Sequence, residues 1–426
     1  MIIKNWKRFF SSMHYFLKLI FIPKDYDVVF VSSETFNRGK GGENFLFKPM
    51  IEFCKKNNLN YIIFEDPYFK SYTDYTKNEE SISLDFILIA QIILKKIYNL
   101  IYKKPTNIDE IYYQELKISK ILKFCFLKKF RSAVYITLIW KNVTLWRCIN
   151  PSACIVDYQH GVISNSHEGY IKYNEPPKVK SKNNITTLVY GDWFKRTLID
   201  NDKSNFYSKK NVITVGTNKI LNEKNTLLTN NKRIIFTLQL TPDFNEKENG
   251  LYAKIVDKII DTNAHFLSKN NYEIIFKHHP RYSTYNCPDI NTKYDFISLD
   301  NKTPTSDLLK SASLHMTFHS TSAFDASTGG IPTIFIDMLE VLSPNDMFIN
   351  QYQYPCKDLV IKDYKDFKNI LVNIDNKEIF NQCSNDVYQW SKEFYDDFDE
   401  KVFQDFLLDQ ISKYKHLNGD ELHQNK

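Results

Sequence analysis

The chain has 426 residues, 43% apolar, 25% charged and 15% aromatic, which suits two or three folded domains and excludes a disordered chain, a collagen-like chain or a lone small module. Its 56 Lys and Arg against 50 Asp and Glu leave a net charge of +6, too little for a protein that coats nucleic acid and better matched to a local anionic partner. Seven cysteines lie scattered without a CxxC or a Cys/His pair at zinc spacing, so reduced thiols in a cytoplasmic protein are expected.

The N-terminal segment 1–24 carries Lys4, Lys7, Arg8, Lys18 and Lys24 and no acid. A second stretch, Lys95 to Arg131, is also strongly basic. Both interleave cations with Phe, Leu, Ile, Tyr and Trp, a pattern suited to an anionic membrane surface, with a solvated basic face as the alternative. Phe86 to Leu94 is the best apolar run, and it is far shorter than the ~20 residues that span a bilayer. Lys18 interrupts the run from Phe9 to Ile22, and no small-residue cleavage site follows, which argues against a signal peptide. The expected location is therefore cytoplasmic, peripheral on the inner face of the cell membrane.

Tyr26 to Ser33 reads as a buried strand, followed by the loop Arg38-Gly-Lys-Gly-Gly-Glu-Asn44, a helical pattern to about Asn57 and a strand at Asn60 to Phe64. This is the opening of a Rossmann-like domain. Residues 82–150 read as mainly helical. Short strands follow at Ala153 to Tyr158, Thr187 to Tyr190 and Asn211 to Val215. The polar run 218–232 reads as a linker. Beyond it, Arg233 to Leu238, Tyr272 to Lys277, Leu314 to Phe318 and Thr333 to Ile336 read as strands. Leu251, Ile255, Val256, Ile259, Ile260 and Leu267 form one helical face. A last amphipathic helix carries Trp390, Phe394, Phe398, Phe403, Leu407 and Ile411 and is expected to pack back on the first domain.

Ligands of open α/β sheets bind at the carboxyl ends of strands, so polar motifs at strand exits outweigh those elsewhere. Ser320, Thr321 and Ser322, with Asp325 beyond them, offer hydroxyls and free N–H groups to a phosphate, ordinary helix capping being the alternative. His279-Pro280 follows a strand between Lys277 and Arg281, where a ring nitrogen and two cations can meet a phosphate or ribose. Gln159-His160-Gly161 puts a group that titrates near neutrality at a first-domain strand exit, with Asp157, His167 and Glu168 close in sequence as acid/base partners. Gly41 and Gly42 read as a ligand-facing loop whose spacing fits neither a phosphate-binding P-loop nor a dinucleotide fingerprint. No Asp-x-Asp sits at a strand exit, so no catalytic metal is expected.

Together these features resemble the GT-B glycosyltransferases. His279-Pro280 and Ser320-Thr321-Ser322 resemble the His-Pro and Ser-Ser/Thr motifs of bacterial sialyltransferases, polysialyltransferases and Kdo transferases, which use CMP-activated sugars and hold the cytidine nucleotide with those motifs. Lys277-His-His-Pro280, Ser320-Thr-Ser322 with Phe324-Asp325, and Pro332-Thr-Ile-Phe335 are also similar to CDP-glycerol glycerophosphotransferases, which have Trp-His-Gly where this chain has Gln159-His160-Gly161. The acidic base motif of several sialyltransferase families is missing, which leaves His160 as the candidate base.

The resemblance implies an α/β GT-B fold with two Rossmann-like domains facing across a cleft. The expected divisions are 1–24 for a membrane-associating segment, 25–217 for an acceptor domain, 218–232 for the linker, 233–385 for a nucleotide-sugar domain and 386–426 for the C-terminal helix and tail. It further implies a metal-independent, inverting transferase that moves a CMP-linked sugar to a capsule or lipopolysaccharide glycan. The partners would be a nucleotide-sugar, a glycan or glycolipid acceptor and the membrane surface, with no cofactor beyond the donor and no nucleic acid. The alternatives are a CDP-polyol phosphotransferase and a non-catalytic binding partner of a polysaccharide assembly complex.

Overall fold

The computed structural model describes the chain apart from residues 1–5, 34–35, 38–39, 67–77, 141, 219–231, 242–243, 280–281, 283–286, 291, 340–342 and 425–426. Pro280, Gly39 and most of the expected linker therefore lie outside the described residues. The rest form two units, one of residues up to Asn218 and again from Asp397, the other of the residues between.

The first unit runs α1 (Trp6–Phe21), β1 (Lys24–Ser33), α2 (Lys48–Lys56), β2 (Tyr61–Asp66), β3 (Ser81–Ser83), α3 (Asp85–Ile101), α4 (Ile108–Leu122), β4 (Phe130–Leu138), α5 (Val143–Ile149), β5 (Cys154–Tyr158), α6 (Lys178–Lys182), β6 (Thr186–Val189), α7 (Asp192–Asn201) and β7 (Val212–Thr214). Its strands pair in parallel in the order β3-β2-β1-β4-β5-β6-β7. Val28 to Val31 of β1 are fully buried, which is why a continuous apolar run forms this strand: both faces of a parallel sheet are covered by helices.

The second unit runs β8 (Arg233–Thr237), α8 (Glu246–Lys269), β9 (Glu273–Lys277), β10 (Ile297–Leu299), α9 (Thr305–Lys310), β11 (Leu314–Thr317), α10 (Ser322–Thr328), β12 (Thr333–Ile336), β13 (Val360–Ile361), α11 (Asp366–Ile374) and α12 (Lys377–Ser391), and α13 (Glu400–Gln424) then returns to the first unit. The order is β10-β9-β8-β11-β12-β13. Numbered within its own unit, each sheet starts 3-2-1-4-5-6, the doubly wound order whose topological switch lies between the first and fourth strands. That switch falls between β1 and β4 in the first unit and between β8 and β11 in the second. A capping box of Asn245 and Glu248 starts α8.

Several expectations are corrected. Residues 82–150 contain β4, a central strand paired with both β1 and β5. Being buried on both faces, Phe130–Leu138 shows no alternation that would separate it from the helices around it. Leu251 is exposed, and α8 buries Tyr252 in its place. The expected last helix is two helices, because its apolar residues serve two cores: Trp390 and Phe394 pack on Phe324 of α10, with ring centroids 4.9 and 5.1 Å away, and Phe403 of α13 packs on Phe53 of α2 at 5.5 Å. Tyr414 donates to Asn150 over 3.3 Å, so α13 does pack back on the first unit. Cys356 and Cys383, with Cα atoms 6.0 Å apart, form a disulfide, a departure from uniformly reduced thiols. Cys54, Cys125, Cys148 and Cys154 are free thiols.

Candidate functional site

In the second unit, strand register brings three exits to one level. Thr237 of β8 aligns with Lys277 of β9, and Phe236 aligns with Met316 of β11. Beyond these ends lie Gln239, His279 and Ser320. The Lys277 ammonium is nearly buried and donates to the Thr303 carbonyl at 2.6 Å. His278 stacks on Tyr282 with centroids 3.7 Å apart, and burial pushes its pKa down to about 4.

Thr321 and Ser322 open α10, a helix of seven residues. The Ser322 hydroxyl donates to Ser320 Oγ at 2.8 Å and lies 2.9 Å from the Thr237 hydroxyl. Behind them is His315, a residue the motif reading did not single out. Its Nε2 is 2.9 Å from the Thr237 hydroxyl and 3.2 Å from that of Ser322, and its Nδ1 is 3.1 Å from the Thr333 hydroxyl. Complete burial pushes its pKa down to about 3, so it stays neutral. A neutral imidazole has one donor and one acceptor nitrogen and orders the hydroxyls around it. The Gln239 carboxamide oxygen accepts from the His319 backbone at 2.8 Å and from the Tyr252 hydroxyl at 3.1 Å, which ties the β8 exit to the β11 exit. Asp325 lies near the Tyr395 phenol, whose pKa is raised by burial and by the Asp325 charge.

In the first unit, His160 follows β5. Its Nδ1 lies 3.3 Å from the Tyr170 hydroxyl, and its ring meets Phe36, from the loop after β1, at 6.0 Å. Gln159 is buried, accepting from the Tyr190 backbone at 2.8 Å and donating to the Gly161 carbonyl at 2.7 Å, so it fixes the loop that carries His160. A Cβ added at Gly161 would meet nothing within 4 Å, so the backbone there borders open space. Gly41 and Gly42 form a short turn with φ of +68° and +74°, left-handed geometry that glycine adopts without strain.

Asp157 and Glu168 do not serve the orienting role expected of them. The Asp157 carboxylate is fully buried, 2.5 Å from the Lys180 ammonium and 3.1 Å from the Trp140 backbone N–H. Glu168 is exposed and pairs with Lys172. The group at His160 Nδ1 is instead the hydroxyl of Tyr170, whose ring is capped by Lys180 at 3.9 Å from the centroid. Tyr170 lay ten residues downstream with no spacing signal. Lys180 belongs to this cluster through the same ring, and burial lowers its pKa.

At the exit of β4, Ile139, Trp140 and Asn142 all have positive φ, at 56°, 39° and 54°. For a β-branched residue this is strained backbone, and such strain gathers at functional sites. The strain lies at the topological switch of this unit. A cavity of about 410 Å³ opens there, lined by Gln91, Tyr112, Glu115, Trp140, Asn142 and Thr144 among others. Burial raises the Glu115 pKa in its wall.

A buried carboxylate also escaped the sequence reading. Glu65 at the end of β2 accepts from Asn37 and, over 2.7 Å, from Ser81, and burial raises its pKa.

No protein-family model matches the chain. No curated protein matches it either. Solved structures do. A variant of the wall teichoic acid polymerase TagF superimposes with a TM-score of 0.54 at 13% identity, covering 96% of this chain and 99% of that one. UDP-GlcNAc 2-epimerase from Methanocaldococcus jannaschii gives 0.53 at 12% identity over 90% and 99%. Likeness at this level shows the fold, a GT-B-type pair of Rossmann-like units.

Proposed function

We propose that the chain is a GT-B transferase that uses a cytidine-activated donor to extend a bacterial surface polysaccharide, the donor being a CMP-sugar such as CMP-sialic acid or CMP-Kdo and the acceptor a capsule or lipopolysaccharide glycan. The observation that carries this reading is the hydroxyl cluster Ser320, Ser322 and Thr237, ordered by neutral His315 at the β8/β11 switch. That is where open α/β sheets take their ligands. His279, Lys277 and Thr321 flank it at the same strand ends and complete the nucleotide side. Fixed donors of this kind stabilise leaving-group charge by about 3 to 4 kcal/mol each when well placed.

The first unit supplies the base. With the imidazole proton on Nδ1, donated to the Tyr170 oxygen, Nε2 of His160 is an acceptor for the proton of the acceptor hydroxyl. That oxygen attacks the anomeric carbon, the bond from that carbon to the CMP phosphate oxygen breaks, and CMP leaves. Direct displacement inverts the anomeric configuration. With no Asp-x-Asp at a strand exit in the sequence, no metal is written into the step. The cavity beside Trp140 offers the first unit a place for part of the acceptor.

A second reading has a specific observation behind it. The fold likeness to TagF, a wall teichoic acid polymerase, spans nearly the whole of both chains, which favours transfer of a polyol phosphate from a CDP-polyol. Another GT-B structure, the Methanocaldococcus jannaschii epimerase, is complexed with UDP-GlcNAc and UDP, so uridine nucleotides belong in the test. The experiment is a thermal-shift screen of CMP, CDP, UDP and GDP and their conjugates, followed by CMP release from each stabilising donor. A ligand at 100 times its Kd adds about 2.7 kcal/mol. Cytidine nucleotides are expected to give the largest shift. A larger shift with UDP or GDP overturns the cytidine reading, and CMP release from CDP-glycerol but not from CMP-sugars decides for the second reading.

A further inference from the structure

Large apolar side chains left in solvent concentrate between Trp6 and Phe124 and occur singly elsewhere, as at Leu251 and Leu408. On α1 they are Trp6, Phe10, Leu17, Ile20 and Phe21, a single stripe at helical spacing. On α3 they are Ile93, Ile97, Leu100 and Ile101, with Leu100 86% exposed. Ile108, Ile111 and Ile121 of α4 and the adjoining Phe124 continue the set.

These helices are one structure. Arg8 of α1 donates to Ser83 at 2.8 Å and pairs with Asp85 at 3.3 Å. Ser12 donates to the Ser83 carbonyl at 2.6 Å and accepts from the Phe86 backbone at 3.2 Å. Phe16 and Leu19 are buried in the first unit's core. The basic N-terminal segment is thus not a detachable anchor. Its inner face is part of the fold and its outer face belongs to a larger apolar surface.

We propose that α1, α3 and α4 form a docking face for an anionic lipid bilayer. Charge argues for this occupant. Lys7, Lys18, Lys96, Lys103 and Lys104 stand exposed on the same elements or just after them. Among the described residues none of them has an acidic partner. The three acids of α4 are engaged or turned away: Asp109 pairs with Lys178 and Lys182, Glu110 caps its own helix through Thr106 and Asn107, and Glu115 lies in the cavity wall. A second copy of the chain on this face would set lysine against lysine, whereas a surface of anionic headgroups attracts each lysine while the apolar stripe enters the acyl boundary. No helix of the described residues is long and apolar enough to cross a membrane, so the face lies on the bilayer.

The test uses the full chain and sedimentation with phosphatidylcholine vesicles, with and without phosphatidylglycerol. The protein is expected to pellet with the mixed vesicles and to be released by salt, because exposed charges are screened beyond about 10 Å at ~0.1 M. Leu100→Glu with Ile101→Glu changes two exposed side chains, so the melting temperature should hold while pelleting falls at least about tenfold, the loss of two buried apolar side chains being ample. Lys103→Glu with Lys104→Glu should lower binding to mixed vesicles only. A folded Leu100→Glu/Ile101→Glu protein that pellets like the parent overturns the proposal. So does a parent protein that ignores both vesicles, or one that is dimeric in light scattering and turned monomeric by the same pair. Because no donor enters the assay, its outcome is independent of the transferase reading.

Discussion

The Tyr170 hydroxyl lies 3.3 Å from Nδ1 of His160, and the buried Lys180 ammonium lies 3.9 Å from the centroid of the same tyrosine ring. The candidate base is thus held by a residue that itself rests on a buried ion pair. His160→Ala should lower turnover by about 10²- to 10⁴-fold with little change in nucleotide affinity. Tyr170→Phe keeps the ring and removes the bond to Nδ1, so its loss should fall in kcat and be smaller than that of His160→Ala. Steady-state kinetics beside nucleotide titration checks both. A folded His160→Ala protein with parental turnover would remove His160 from the reaction.

Asp157 and Lys180 give a prediction of a different kind. Asp157→Asn strands a buried ammonium and should cost about 3 to 5 kcal/mol in urea unfolding, whereas Asp157→Asn with Lys180→Met should cost less than Asp157→Asn alone. Were Asp157 the base, the double variant would recover stability but still lack turnover.

Gly169 sits against the indole of Trp140. A Cβ there would fall 2.3 Å from the Trp140 ring, so Gly169→Ala must displace either the ring or the loop. The expected cost is about 1 to 3 kcal/mol, and Trp140→Phe, which removes the atoms in collision, should recover part of it in the double variant. Equal stability of Gly169→Ala and the parent would mean that the loop shifts freely.

The second unit should be acid-sensitive through His315. Its folded pKa of about 3 is below the unfolded value near 6.5. Between these values the unfolded chain binds the proton and the folded one does not, so stability is complete above about pH 6.5 and falls as pH drops toward 3. From pH 7 to pH 5 the loss is on the order of 2 kcal/mol for this residue. His278 and His319, each pushed down to about 4 by burial, act in the same direction. Urea midpoints across this range should show the slope, and His315→Gln should flatten it.

The sequence reading found strands wherever a short apolar run stood between polar stretches, as at β8, β9, β11 and β12. It missed β4 because a strand buried on both faces carries no period. It found the strand exits and therefore the neighbourhoods of His160, His279 and Ser320. It did not find their supports. His315 looked like an ordinary strand residue, and Tyr170 and Lys180 reach their places through loops whose course no local pattern encodes. Proximity in sequence points to Asp157 and Glu168, but Asp157 is buried against Lys180 and Glu168 faces solvent, so being three or eight residues away says little about sharing a hydrogen bond.

The return of α13 to the first unit bears on the order in which the protein can be made. Phe403, Leu407 and Ile411 are buried, and Lys56 pairs with Glu400 at 2.6 Å. On the ribosome, the residues up to Asn218 emerge first, yet the helix that covers Phe53 is translated only after the whole second unit. The nascent first unit must therefore wait with an apolar groove open, a stage at which partly folded chains aggregate. A chaperone that shields that groove during synthesis would act on a fold whose last missing piece is its own C-terminal helix.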